Sequence, residues 1–163
     1  MTTRDAVRPP GRRGEIDGVQ IHALRRIADE RGSVMHMLRA DAPHFGGFGE
    51  IYFATAWPGV IKGWHLHQMQ AQNYCVVDGM AKLVLYDDRA ASPTRGVVQE
   101  IFLGDDSYVL VHIPPLVLNG WKAIGTTRTL LANCATLPHD PAEMSRLDPF
   151  DPAVPYDWAL IHR

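Results

Sequence analysis

From residue 50 to residue 136 the chain is a succession of strand-length apolar segments separated by turn residues. EIYFATA (50–56), WHLH (64–67), NYCVV (73–77), AKLVLYDD (81–88), QEIFL (99–103), SYVLVHIP (107–114) and RTLLANCAT (128–136) are four to nine residues long, and most are bounded by Gly, Pro, Asp or Asn. None of this stretch sustains the i, i+3, i+4, i+7 apolar spacing of an amphipathic helix. Segments recurring at roughly ten-residue intervals favour an antiparallel sandwich or barrel over alternating βα units. The spacing therefore predicts an all-β domain.

The two ends read differently. Residues 1–14 mix Arg, Pro and Gly without periodicity and read as a flexible arm, leaving 15–163 as one domain. Residues 19–27 (VQIHALRRI) alternate as a strand, DERG at 29–32 makes a turn, and residues 33–38 resume as a strand. Residues 42–49 hold Pro43 and three glycines, a loop. Beyond residue 137 prolines and acids crowd together. Residues 140–146 are predicted to form one short helix, with Asp140 as cap and Pro141 in its first turn. The rest is an irregular tail anchored on the body by Phe150, Tyr156 and Trp158.

A length of 163 residues suffices for one core without staples. The formal net charge of −2 excludes a basic nucleic-acid binder. No apolar run approaches the ~18 residues of a membrane helix, so no membrane partner is expected. Residues 1–13 lack the apolar centre of a signal peptide. Cys75 and Cys134 both lie in apolar runs and read as small buried hydrophobes, which suits a reducing cytoplasm. There is no CxxC for a thiolate zinc site.

Histidine is the unusual entry, at eight residues, and the chemistry concentrates in residues 59–79, GVIKGWHLHQMQAQNYCVVDG. Two residues apart on a strand, His65 and His67 point to one face. Two imidazoles so placed can share a metal or form a catalytic pair, or simply be exposed on an edge strand. Trp64 points the other way, into core or an interface. Tyr74 is either a sheet aromatic or a lumen hydroxyl. His22, His36, His44, His139 and His162 are expected at the surface, and His112 is left open.

The segment resembles the first cupin motif, G-x5-H-x-H-x4-E-x6-G, with Gly59, His65, His67 and Gly79 in register and Gln72 at the acidic position. The His of the second cupin motif is replaced by Asn119 in HIPPLVLNGW. Two of four usual metal ligands are thus changed, and no cofactor is expected; the alternative is a divalent metal on His65, His67 and Gln72. Within the cupins the chain resembles the dTDP-4-dehydrorhamnose 3,5-epimerase family, on DERG (29–32), GVIKGWH (59–65), DDRAASPTRG (87–96), IPPLVLNGW (113–121) and LDPFDPAVPYDW (147–158).

The resemblance implies a jelly-roll β-barrel, a homodimer, and an isomerase acting on a nucleotide-diphosphate sugar. His65 falls on the family's catalytic base, which removes a proton alpha to the 4-keto group. Asp151, in preference to Asp148, falls on the carboxylate that orients it. Arg31 and Lys62 fall on basic positions facing the diphosphate. Glu50 and Tyr52 stand where Gln and Asn usually face the nucleotide, so the base edges read there change. Gln72, Asn119 and Trp121 complete the expected pocket. The family's acid Tyr is absent, its slot being Ala132 or Asn133, so epimerisation at one carbon only is expected.

Three alternatives stay open. His67 is typical of the related sugar 3,4-ketoisomerases, in which paired histidines shuttle a proton between neighbouring carbons. A metal-dependent cupin enzyme and a non-catalytic sugar-binding relative are the others.

Overall fold

The computed structural model describes residues 11–160, and the architecture is all-β with no helix. Strands β1 (Arg12–Arg13), β9 (Val97–Gly104), β8 (Met80–Tyr86), β11 (Leu118–Ile124), β6 (Ile61–His67) and β13 (Met144–Arg146) form one sheet in that order. The second sheet runs β2 (Gln20–Ala23), β10 (Val109–Ile113), β7 (Gln72–Asp78), β12 (Thr129–Ala135), β5 (Glu50–Ala56). A separate hairpin joins β3 (Arg26–Asp29) to β4 (Gly32–Met35) through the DERG turn. Every pairing is antiparallel except that of β1 with β9. This is the expected jelly roll, although its two sheets are separate rather than closed into one barrel.

The sheets face each other across an apolar core. Leu83, Leu85, Ile101, Leu103, Trp121 and Ala123 from one sheet meet Tyr74, Val76, Val111, Ile113 and Leu131 from the other, all at 7% exposure or less. Each such side chain contributes about 1.5–3 kcal/mol on leaving water. A smaller cluster lies on the outer face of the first sheet. There Trp64, Val84 and Val98 are covered by Val154 and Trp158 of the tail. Trp64 is fully buried against Trp158, ring centroids 5.2 Å apart, and both indole N–H groups donate to Pro149 O. Trp64 is thus a core residue, and the tail wraps the body through Tyr156 and Trp158, while Phe150, expected as a third anchor, is exposed.

Four expectations are corrected. Residues 140–146 form no helix: Asp140 Oδ1 accepts the Ala142 N–H in a single turn, and residues 144–146 then pair with β6. Seven residues are too few to hold a helix against a free sheet edge that satisfies the same backbone groups. The 19–27 strand is split at Leu24–Arg25 into β2 and β3, and β2 pairs with β10 at one edge of the second sheet. Residues 1–10 of the expected arm lie outside the described residues, but Arg12–Arg13 is ordered against β9. Strand β11 occupies a stretch read only as a Pro-led motif. Cys75 and Cys134 are free and buried, as expected.

Candidate active site

At one end of the space between the sheets the core gives way to a cavity of about 460 Å³. Its walls are Glu50, Tyr52 and Ala54 of β5, Lys62, His65 and His67 of β6, Tyr74 of β7, Trp121 of β11 and Leu131 of β12. Gln70, His139, Met144 and Arg146 complete the lining.

A β-bulge decides which β6 side chains enter. Asn119 pairs with His65, but Trp121 pairs with Lys62, so β6 carries one residue more than β11 in this interval. Gly63 and Trp64 together oppose Gly120, and the period of two is broken there. Without the bulge Lys62 faces away from His65; with it, both line the cavity, and the Lys62 ammonium lies 5.9 Å from the Trp121 ring centroid. Gly63 is required at this bend, because a Cβ there would stand 2.8 Å from Pro149 Cγ and Cδ.

Strand β13 adds a second row. Met144 pairs with His67 and Arg146 with His65. Burial, then the positive charge of Arg146, then His67 and Lys62, push the His65 pKa down to about 4. Its imidazole is therefore neutral at neutral pH and free to accept a proton. Neither Lys62 nor Arg146 is ion-paired among the described residues. Both are left to stabilise negative charge that develops in the cavity.

His67 sits in a different environment. Its Nδ1 contacts Glu143 Oε1 at 2.5 Å. Glu143 Oε2 accepts N–H bonds from Gln68, Met69 and Gln70 at 3.0, 3.1 and 3.3 Å. Burial raises the pKa of this carboxyl, but the bonds from His67 and the loop amides prevail and hold it below the usual range. Across the cavity the buried Tyr74 donates to Asn119 Oδ1 at 3.2 Å, and Asn119 Nδ2 donates to His65 O at 3.3 Å. That bridge ties the two sheets together beside His65. Burial, with Tyr52 adding to it, pushes the Tyr74 phenol well above its ordinary pKa.

A profile of the dTDP-4-dehydrorhamnose 3,5-epimerase family matches residues 13–163. The chain belongs to this family. It is 31% identical over 146 residues to the spore coat polysaccharide biosynthesis protein SpsL of Bacillus subtilis, covering 90% of this chain and 93% of that one. It is 32% identical to the probable low-salt glycan biosynthesis epimerase Agl13 of Haloferax volcanii, covering 87% and 89%. A solved dTDP sugar isomerase from Desulfovibrio desulfuricans G20 superposes with a TM-score of 0.86 at 42% identity, covering 88% of this chain and 92% of that one. Membership places the chain among the sugar epimerases, which are isomerases.

Set against the family expectations, the structure brings Glu50, Tyr52, Lys62, His65, His67 and Trp121 together in one cavity, with Tyr74 facing it. It does not bring in Asp151. That carboxylate accepts the Ala153 N–H at 2.8 Å in the tail, and among the described residues no hydrogen bond or ion pair joins it to His65. Asp148 likewise caps a turn, accepting the Phe150 N–H. Arg31 is exposed on the β3–β4 turn, bound to Asp29, and does not line the cavity. Gln72 is spent on Asn133 and Gln70, so it supplies no free oxygen as a third metal ligand with His65 and His67. Among the described residues no three His, Cys, Asp or Glu side chains converge as a metal site. A divalent metal on His65, His67 and Gln72 therefore does not fit this arrangement.

His139, expected only at the surface, is exposed and also lines the cavity. Glu143, Met144 and Arg146 were assigned to a helix and missed as site residues. The available signal was the i, i+2 spacing of Met144 and Arg146 before a Pro-terminated segment, which suits a strand as well as a helix.

Proposed function

We propose that this chain epimerises a nucleotide-linked 4-keto-6-deoxy sugar by proton transfer alone, with His65 as the base. The observation that carries the reading is a neutral imidazole flanked by two cations, Lys62 and Arg146, that have no carboxylate partner among the described residues, inside one cavity. His65 takes the proton from the carbon alpha to the ketone. The C–H electron pair moves into an enolate, and Lys62 and Arg146 offset the charge on its oxygen. A proton returned to the other face of that carbon gives the epimer, with no net oxidation and no cofactor required. Glu50, Tyr52 and Trp121 line the same cavity and select the nucleotide and the sugar ring. A related solved structure, NovW of Streptomyces spheroides, is described as a 4-keto-6-deoxy sugar epimerase and shares 26% identity at a TM-score of 0.80, covering 98% of this chain and 83% of that one. The reading includes a homodimer, supported by Ile51 and Phe53, exposed on the outer face of the edge strand β5; light scattering tests it.

The deciding experiment incubates the protein in D2O with a panel of nucleotide 4-keto sugars. Deuterium is expected at a carbon beside the ketone, and the signal disappears in His65→Ala. No exchange with any member of the panel would overturn the reading.

The sugar 3,4-ketoisomerase remains the second reading, because His65 and His67 share one cavity wall. Its product would be a shifted ketone rather than an epimer, which the same spectra distinguish.

A further inference from the structure

The epimerase reading leaves one half of the reaction without a group. A proton must return to the carbon, yet the slots where the family keeps its acid tyrosine hold Ala132 and Asn133. Ala132 is buried away from the cavity, and Asn133 is fully buried and bonded to Gln72 and to the Asn73 amide. Tyr74 reaches the lumen, but its hydroxyl proton is directed at Asn119.

We infer that Glu143 is a positioning residue that keeps a proton on Nδ1 of His67 and turns Nε2 to the cavity, so that Nε2–H of the imidazolium is the proton-donating group there. The proposal rests on the epimerase reading for its chemistry and on geometry for its residues. Three backbone amides hold one carboxylate oxygen of Glu143, so the other oxygen cannot turn away from His67 Nδ1. A carboxylate on one ring nitrogen decides which nitrogen remains for chemistry. Nε2 of His67 makes no hydrogen bond to the described residues, and it is not a buried, unpartnered nitrogen such as His44 Nε2.

The two histidines stand in opposite surroundings, one among cations and one on a carboxylate. Such a pair sorts into base and acid. Two residues along a strand place them about 6.6 Å apart, enough to bracket a carbon of a sugar ring. In the step itself, His65 takes the C–H proton and the enolate forms. His67, carrying protons on both nitrogens and facing the Glu143 carboxylate, gives its Nε2 proton to the carbon. The enolate electrons form the new C–H bond, the ketone is restored, and His67 is left neutral with Nδ1–H still on Glu143. Solvent then returns a proton to His67 and takes one from His65.

Nitrogen-15 NMR of the free protein tests the positioning without any substrate. Wild-type His67 is expected to carry a proton on Nδ1 held by Glu143, with a resonance far downfield of the amides that is lost in Glu143→Gln. In D2O with substrate, Glu143→Gln should still wash deuterium into recovered substrate while epimer formation falls by about 10²-fold. His67→Gln, which leaves the loop amides on Glu143, should show the same split, and Glu143→Asp should restore part of the product rate. Exchange and product falling together in both variants, or a wild-type His67 with no proton on Nδ1, would overturn the proposal. If wild-type protein exchanges nothing, the epimerase reading fails, and the NMR measurement still decides the role of Glu143.

Discussion

Lowering the pH should cost this protein stability through His65 in particular. A fall in its pKa from 6.5 to about 4 corresponds to about 3 kcal/mol between the two protonation states. The imidazole is half-buried and meets cavity water, so screening reduces this to about 2 kcal/mol. Between roughly pH 6.5 and 4 the unfolded chain takes up a proton here and the folded chain does not, so stability declines as the pH falls through that window. Urea unfolding of wild type and His65→Asn at about pH 7 and about pH 4.5 isolates the effect, because every other titrating group is common to both proteins. The wild type should lose about 2 kcal/mol more than the variant. A proton NMR titration should place the His65 midpoint near 4. A midpoint near 6.5, or equal losses in both proteins, would refute the argument that burial and the neighbouring cations keep this base neutral.

Gly63→Ala should destabilise by about 1–3 kcal/mol, read as a lowered urea midpoint, because the new methyl meets the Pro149 ring at 2.8 Å. Asp87→Asn should cost about 3 kcal/mol by the same measurement. That fully buried carboxylate holds Arg89, Ser92 and Thr94 at 2.6–2.9 Å. Burial opposes its ionisation, but these bonds hold its pKa well below the ordinary value of 3.8, so its contribution is full above about pH 4 and is lost as the pH falls further.

The long strands and the lumen position of His65 and His67 were legible because alternation and turn residues encode them locally. Strand β11 was not, because Pro114 and Pro115 precede it and Asn119–Gly120 interrupts its pattern; its stability comes from neighbours on both sides. The β13 segment failed for a similar reason. Its strand identity comes from the open edge of β6, which no local propensity records. That misreading hid Glu143 and Arg146, since only the pairing with β6 sets Arg146 opposite His65 and brings Glu143 to His67. Asp151 illustrates the converse: a family motif located a carboxylate in sequence, while the tail's own turn bonds took it away from His65.

The bulge at Gly63–Trp64 acts as a phase shifter along β6. It lets one seven-residue strand send Trp64 to the outer cluster while Lys62 and His65 both enter the cavity. Deleting one residue from that interval would only remove the bulge and leave Lys62 and His65 two apart and both inward, whereas deleting Leu66, where no bulge absorbs the change, would turn His65 and His67 to opposite faces. A deletion of the same size in the 90–95 turn would leave the cavity lining intact. Tolerance to insertion and deletion is therefore set here by strand parity rather than by distance from the catalytic atoms.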